Sequence, residues 1–471
     1  MSFFNSLIAK STMLVNRLAE DVFGIELEQY QTSTVVDKCL KAYHGDPEWQ
    51  WSEEGIYTIN FTKTVCEELA KLATMNIEIH VDGSPRAEWL DKQLHLQDRS
   101  YRRWVELGCA AGTMILKPNG QTIDMYLPGQ FFISNTDGDE ITGVVFINSL
   151  KDGDNYYTRF EWHRREGDRY TIRNRVFVGT GPNSIDTEVA LDNSPWSDLE
   201  EEVVAENVEH NLFGTFVMPN VNNEDLESPL GLPVVSNCLV EMEGLDNAFS
   251  LYKHEIDVSS RTVLLDSDRL LADPGTNKAD PLQAAAVVKK WGLPDYVKLV
   301  DGVASVESEI YHEINPSLNT ETRLQGINAY LSQIGFKCGF SNGYFVFNEK
   351  TGMVTATQVE SDDRRTIQTI NDIRKQLRAC MDELAYALNV FADAYGLAPS
   401  GEYEIAYDFQ DITLNEDEDR ARWLSFVNSG YIPFWRYLVM FEGYTENEAK
   451  EIAIQEEPTQ ETIPSLFGSL G

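Results

Sequence analysis

The sequence predicts an α+β protein in which long helices accompany a region of antiparallel strands. Two patterns support this. Apolar residues recur at helical spacing over long stretches, the longest being 355–395. Between 114 and 178, short runs rich in β-branched and aromatic residues alternate with turn sequences. With 471 residues, the chain exceeds the roughly 100–200 residues usual for one domain, so several modules are expected.

The N-terminal part predicts helices first and strands second. Apolar spacing predicts helices over 4–43, 62–73 and 88–109. A meander of antiparallel strands should follow, because Asn-Gly and Asp-Gly turn sequences separate the next apolar runs. These strands are predicted over 114–117, 130–134, 143–148, 156–164 and 170–178.

The second half predicts two long helices with an insertion between them. A Pro-Leu-Gly-Leu-Pro breaker at 229–233 precedes a helix from 234. Residues 261–314 mix short strands and a helix, and a second long helix follows over 315–336. Residues 337–354 are predicted as a loop, and the longest helix then runs to Tyr395, where Gly396 ends it. Short helices follow from 415.

The charge of the chain is strongly acidic. Lys and Arg number 38 against 76 Asp and Glu, for a net charge of −38. No Lys or Arg lies between Arg175 and Lys253, whereas fifteen acids do. A tight grip on nucleic acid needs clustered bases, so the composition argues against one. Solubility alone is the simpler explanation of such a charge.

Motifs for common chemistries are missing or incomplete. The sequence has no P-loop, no HExxH, no GxGxxG and no CxxC, and its seven histidines form no ligand-spaced pair, so no metal or cofactor is expected. The six cysteines are expected to be buried thiols. Residues 339–343 match G-x-S-x-G, but a helix precedes them where a hydrolase needs a strand. No stretch is apolar enough for a membrane span.

Four stretches taken together resemble the portal (connector) proteins of tailed bacteriophages, particularly the siphophage type. They are the strand sequences at 156–163 and 170–174, the segment at 213–216 with the breaker at 229–233, residues 259–263, and the motif Thr-Ala-Thr-Gln-Val at 355–359. The last is similar to a family motif that opens a long helix, although Gln358 stands where the family usually has an acid. The resemblance covers roughly residues 40–400.

The resemblance implies a portal fold that assembles as a ring of about twelve subunits. Such a ring conducts double-stranded DNA at one capsid vertex during packaging and ejection. Its implied partners are the terminase large subunit, which hydrolyses ATP, head-completion or adaptor proteins, and the major capsid and scaffolding proteins; no membrane and no catalytic site are implied. The implied modules are a wing (1–233 and 355–405), stem helices (234–258 and 315–336), a clip (259–314), a tunnel loop (337–354) and a crown with the C-terminal tail (406–471).

Within these modules, four sets of residues are candidates for function. Leu239, Met242, Phe249 and Tyr252 form a stripe for packing between stem helices, and the alternative is packing within one subunit. Glu241, Glu243 and Asp246 are candidates for an acidic channel wall that does not hold DNA. Candidates for contact with DNA in the tunnel loop are Ser341, Asn342, Gly343, Tyr344, Asn348 and Lys350. Lys289, Lys290 and Trp291 of the clip are candidates for terminase docking, although the two lysines would by default face solvent.

Two other classes of function stay open at this point. One is another virion structural protein, such as a head–tail adaptor or a tail component; the order of helix, insertion, helix, loop and long helix argues against it. The other is a soluble acidic hydrolase that uses paired carboxylates, a signal without specificity in so acidic a chain.

Overall fold

The structure, a computed structural model, divides into two compact units, Met1–Phe409 and Gln410–Gly471. Each unit is described by itself. The residues that the structure describes are 20, 23–25, 27, 33–50, 56–120, 122–138, 140–181, 185–258, 262–266, 297–300, 311–314, 320–346, 356–409, 416–429, 431–442, 444, 449–450 and 452–453.

The described chain mixes helices with sheets that are mainly antiparallel, which confirms the α+β class. Among the described residues, no helix has the length and apolar character needed to cross a lipid bilayer. The helices are α1 (Ser33–Tyr43), α2 (Phe61–Ala73), α3 (Pro85–His95), α4 (Tyr101–Ala111), α5 (Leu239–Val258), α6 (Thr320–Lys337), α7 (Ala356–Tyr395), α8 (Glu416–Asn428) and α9 (Phe434–Phe441).

The strands include the five predicted over 114–178, each of which is longer than its sequence run suggested. They are β1 (Glu78–Gly83), β2 (Thr113–Pro118), β3 (Ile123–Tyr126), β4 (Phe131–Asp137), β5 (Glu140–Asp152), β6 (Asn155–Glu166), β7 (Arg169–Gly179), β8 (Thr187–Val189), β9 (Glu202–Glu206), β10 (Gly214–Val217), β11 (Thr262–Asp266), β12 (Val297–Val300), β13 (Tyr311–Ile314) and β14 (Tyr403–Asp408).

The predicted single helix over 88–109 is two helices. Ser84 caps α3 by accepting from the amide of Ala87, and Pro85 occupies its first turn. The polar sequence between Leu96 and Ser100 then forms turns, as Asp and Ser favour, before α4 starts. Tyr101 ties the two helices together because its hydroxyl donates to the Leu94 carbonyl at 2.9 Å.

The first strand predicted for the meander, over 114–117, is β2 and lies instead in a separate sheet between β10 and β3. The other four are confirmed as β4 to β7, which are antiparallel neighbours in one large sheet, with β8 and β9 added beside β7. Its centre is buried on both faces. On one face Val145, Phe160 and Trp162 belong to a core cluster that includes Leu27. On the other, Phe146 packs with Phe213 and with residues of the small sheet β10-β2-β3.

Helix α7 holds the first unit together by contacts along its C-terminal half. Strand β10 approaches it so closely that a Cβ on Gly214 would lie 2.2 Å from the Cys380 carbonyl oxygen. Farther along, the buried Arg86 of α3 donates to Asp393 at 2.5 Å, and it also donates to the Asn389 and Ala398 carbonyls. Helix α3 and strand β10 are therefore both packed against this long helix.

The predicted boundary before the crown, at 405/406, divides a strand. Residues 403–408 form β14, which pairs antiparallel with β1, for example His80 with Ala406. Because that pairing belongs to the first unit, the chain divides after Phe409. In the second unit, α8 and α9 pack around Tyr437, Leu438 and Ala449.

The insertion between the long helices contains a three-stranded sheet of order β12-β11-β13. Strands β11 and β12 are parallel, and β11 and β13 are antiparallel. The short strands predicted within 261–314 are confirmed as β11 and β12, whereas β13 was not predicted. The helix predicted over 280–291 lies outside the described residues.

Candidate functional site in the hairpin of helices α5 and α6

Helices α5 and α6 pack side by side in opposite directions. Residues later in α5 contact residues earlier in α6, so the two helices form an antiparallel hairpin. At 20 residues, α5 is about 30 Å long. Three contacts show the antiparallel direction: the Lys337–Glu241 ion pair at 2.6 Å, the close approach of Gly244 to the Tyr330 ring, and the Arg323–Glu255 ion pair at 2.5 Å.

The root of the hairpin is a closely packed apolar region. Leu245 is fully buried, as are Ile334 of α6 and Phe340 just beyond it. The Sγ atoms of Cys238 and Cys338 are 3.6 Å apart there. That contact and the burial of the site raise the pKa of the Cys338 thiol, which is therefore held protonated. All six cysteines are buried and free, as the sequence predicted.

The predicted packing stripe is used partly within the subunit. Met242 is buried in this chain, so its assignment to a contact between subunits is wrong: it faces the core of its own subunit. Leu239, Phe249 and Tyr252 stay partly exposed, and their role between subunits stays a prediction. The sequence pattern missed the most exposed apolar residue of α5, Val240, which is 78% exposed.

The three acids proposed for a channel wall have different surroundings. Glu243 is exposed, and Glu241 pairs with Lys337 at the base of the hairpin. The prediction for Asp246 is wrong, because its side chain is buried at 3% exposure. It lies four residues after Met242, on the same helix face, and therefore points inward. Its carboxylate accepts from Trp49 Nε1 at 2.8 Å and from the Ile59 amide at 3.0 Å.

The first part of the predicted tunnel loop is anchored to the protein. Ser341 is 4% exposed, and its amide donates to Thr366 Oγ1 at 2.8 Å. Its assignment as a DNA contact is therefore wrong: a buried hydroxyl bonded to α7 cannot reach a passing ligand. The buried Ser341 also lacks the exposed nucleophile position that its G-x-S-x-G sequence would require in a hydrolase.

The neighbouring loop residues are nearer the surface. Asn342 is exposed and accepts from the Ser332 hydroxyl at 2.8 Å. Gly343 has a φ of +79°, a conformation that favours glycine. The Tyr344 hydroxyl donates to Glu68 at 2.7 Å. For Asn342, Gly343 and Tyr344, contact with DNA stays a prediction.

Five predicted site residues lie outside the described part of the chain. In the tunnel loop they are Asn348 and Lys350. In the clip they are Lys289, Lys290 and Trp291. Their assigned roles stay predictions.

A separate cluster of titratable groups is buried within the large sheet. Glu161 of β6 contacts Lys117 at 2.7 Å and Arg159 at 2.9 Å. Its other oxygen contacts His163 Nε2 at 2.9 Å. Burial alone would raise the pKa of Glu161, but Lys117, His163 and Arg159 outweigh burial and hold the pKa well below its usual value.

The ring of His163 in this cluster is held between protein groups. Burial lowers its pKa more than Glu161 raises it, so the imidazole is neutral. Its Nδ1 contacts the Tyr170 hydroxyl at 2.9 Å, and Phe146 and Phe213 pack edge-on against it. One carboxylate with two cations is an ion-pair network that holds strands together. It is not the carboxylate couple of the hydrolase alternative.

No model of a known protein family matches the chain, and no curated protein matches it significantly.

Proposed function

We propose that this chain is one subunit of a phage portal ring, a channel at one capsid vertex through which double-stranded DNA is packaged and ejected. The observation that carries the proposal is the antiparallel hairpin of α5 and α6. A small sheet is inserted between its two helices, and the 40-residue helix α7 follows after residues 338–355. This order is the one that the portal resemblance implies for stem, clip, tunnel loop and long wing helix.

Apolar residues left uncovered on α5 support a contact between neighbouring subunits. Val240 and Leu251 are 78% and 51% exposed. They are eleven residues apart, about three helical turns, and so lie on nearly the same face. Covering such a side chain stabilises an assembly by about 1.5–3 kcal/mol. In a ring, this patch on each subunit packs against a different surface of the next subunit, so the exposed side chains of every subunit are covered once.

The charge of the hairpin suits a conduit for DNA. Glu243 is exposed on α5, and the whole chain carries a net charge of −38. Duplex DNA would be retained by clustered Lys and Arg and passes more freely along an acidic wall. In this proposal the clip docks the terminase large subunit during packaging and head-completion proteins afterwards, and the ring sits in the virion among capsid and scaffolding proteins.

The test is the mass and shape of the purified protein, by native mass spectrometry and negative-stain electron microscopy. Closed rings of about a dozen subunits with a central hole are expected. Val240→Asp should shift the protein towards monomers and open assemblies, because a carboxylate would have to be buried at the contact. The matched control is Val221→Asp at a loop residue that is 80% exposed, and it should leave the rings intact.

Circular dichroism should show both variants folded. A wild-type protein that stays monomeric at micromolar concentration would contradict the ring. Rings that survive Val240→Asp unchanged would refute the assigned contact.

A further inference from the structure

Two histidines and an aspartate converge on the outer side of strand β1 and helix α3. His80 lies on β1, and Asp91 and His95 are four residues apart on one face of α3. One ligand atom from each of the three lies within 4.8 Å of the other two. The two imidazole rings meet edge to face with centroids 5.5 Å apart.

The hydrogen-bonding partners leave suitable ligand atoms facing one another. Asp98 contacts Nδ1 of His95 at 3.4 Å. Nε2 of the same ring lies 3.4 Å from Asp91 Oδ2. The other oxygen, Asp91 Oδ1, accepts from the Val81 amide at 2.9 Å, which fixes the orientation of that carboxylate.

This arrangement matches the support that metal-binding histidines usually have. A ligating imidazole commonly gives its second nitrogen to a carboxylate, and a ligating carboxylate is itself hydrogen-bonded. Here Asp98 holds the far side of His95, and the β1 backbone holds Asp91.

We propose that His80, Asp91 and His95 bind one divalent transition-metal ion, with Zn²⁺ as the best match to two imidazole nitrogens and one carboxylate oxygen. Zinc–nitrogen bonds of about 2.0–2.1 Å place tetrahedral ligand atoms about 3.3 Å apart. Since the three ligand atoms lie within 4.8 Å of one another, binding needs to draw any two of them together by at most about 1.5 Å. The rings of His80 and His95 are each about half exposed, so they have room to rotate towards the ion.

The ion would join β1 to α3. Since β1 pairs with β14, the bound ion would also brace the strand that ends the first unit. The fourth coordination position is left to water, as three protein ligands allow. The proposal concerns binding only and does not depend on the portal function.

The test uses the full chain, treated with chelator and then titrated with Zn²⁺ by calorimetry and with Co²⁺ by visible absorption. One ion per chain is expected, with the absorption of tetrahedral Co²⁺ and a rise of a few degrees in the midpoint of thermal unfolding at saturating Zn²⁺. His80→Asn and His95→Asn should each weaken binding at least tenfold. His44→Asn, at an exposed histidine outside the cluster, is the matched control and should bind as wild type.

Two outcomes would overturn the site. One is equal Zn²⁺ affinity in wild type, His80→Asn and His95→Asn, which would place any bound ion elsewhere. The other is no Zn²⁺ binding by the folded wild-type protein at millimolar concentration. The replaced side chains are at the surface, so the variants are expected to fold. Circular dichroism of each variant checks this and distinguishes lost binding from unfolding.

Discussion

Glu383 is a carboxyl group whose ionisation should weaken the fold. It lies on α7, where its carboxylate accepts from the Thr215 amide of β10 at 2.7 Å. Burial raises its pKa from 4.5 to about 7, the Thr215 amide opposes this, and Glu140 and Asp382 add to it. The group is therefore protonated in the folded protein at mildly acidic pH and costs stability once it ionises.

The sign and size follow from proton linkage. The folded pKa lies above the unfolded one, so the stabilisation from protonation is fully present below pH 4.5 and is lost as the pH rises through about 7. Each pKa unit corresponds to about 1.36 kcal/mol. Glu383→Gln, which mimics the protonated acid, should therefore stabilise the protein by about 1 kcal/mol at pH 5.5 and about 3 kcal/mol at pH 8.

The assay is urea unfolding followed by tryptophan fluorescence from pH 5.5 to 8, at one protein concentration so that any assembly equilibrium is shared. The matched control is Glu402→Gln, at an exposed glutamate, whose difference from wild type should stay near zero. A Glu383→Gln difference that does not change with pH, or that is destabilising at pH 8, would refute the reasoning.

Two further predictions test the hairpin by urea unfolding. Asp246→Ala should destabilise by about 2–4 kcal/mol, because a partly buried indole N–H and a partly buried backbone amide lose their acceptor. Glu243→Ala should change stability by less than about 0.5 kcal/mol, and equal effects would refute the burial of Asp246. Gly244→Ala should cost about 1–3 kcal/mol because its Cβ would lie 2.6 Å from the Tyr330 ring. Gly326→Ala, with open space on α6, should instead stabilise by about 0.5–1 kcal/mol, and the same sign at both glycines would contradict the assigned close approach.

Much of the fold was predictable because its elements are locally encoded. The helix spacing over 355–395 became α7, and the apolar runs between turn sequences became β2 and the neighbouring strands β4 to β7. The helix predicted over 88–109 needed division, since apolar periodicity continues through the short polar turn at 96–100. The helix predicted over 4–43 is wrong as one helix, because Gly24 has a φ of +68° and the chain is not helical at residues 25 and 27 before α1 begins.

In the hairpin of α5 and α6, the sequence did not predict which side chains are buried. Periodicity placed Met242 and Asp246 on α5, but it could not decide which face would be covered, or by what. The structure brings Trp49, almost two hundred residues away in sequence, to the carboxylate of Asp246. A charged residue is normally expected at the surface, and the sequence contains no signal for a distant indole donor.

The candidate metal site illustrates the same division. The seven histidines form no ligand-spaced pair in the sequence, and none of them predicted a site. The spacing of Asp91 and His95 defines one helix face locally, but only the packing of α3 against β1 brings His80 to that face.

The sequence by itself determined the long helices, the central strands of the large sheet, the acidic character and the order of helix, insertion, helix and long helix. The tertiary structure alone decided which side chains are buried and which distant groups meet. The physical reason is that periodicity and turn chemistry act between residues a few positions apart, whereas burial, hydrogen-bond partners and pKa shifts depend on contacts that form only when distant segments pack.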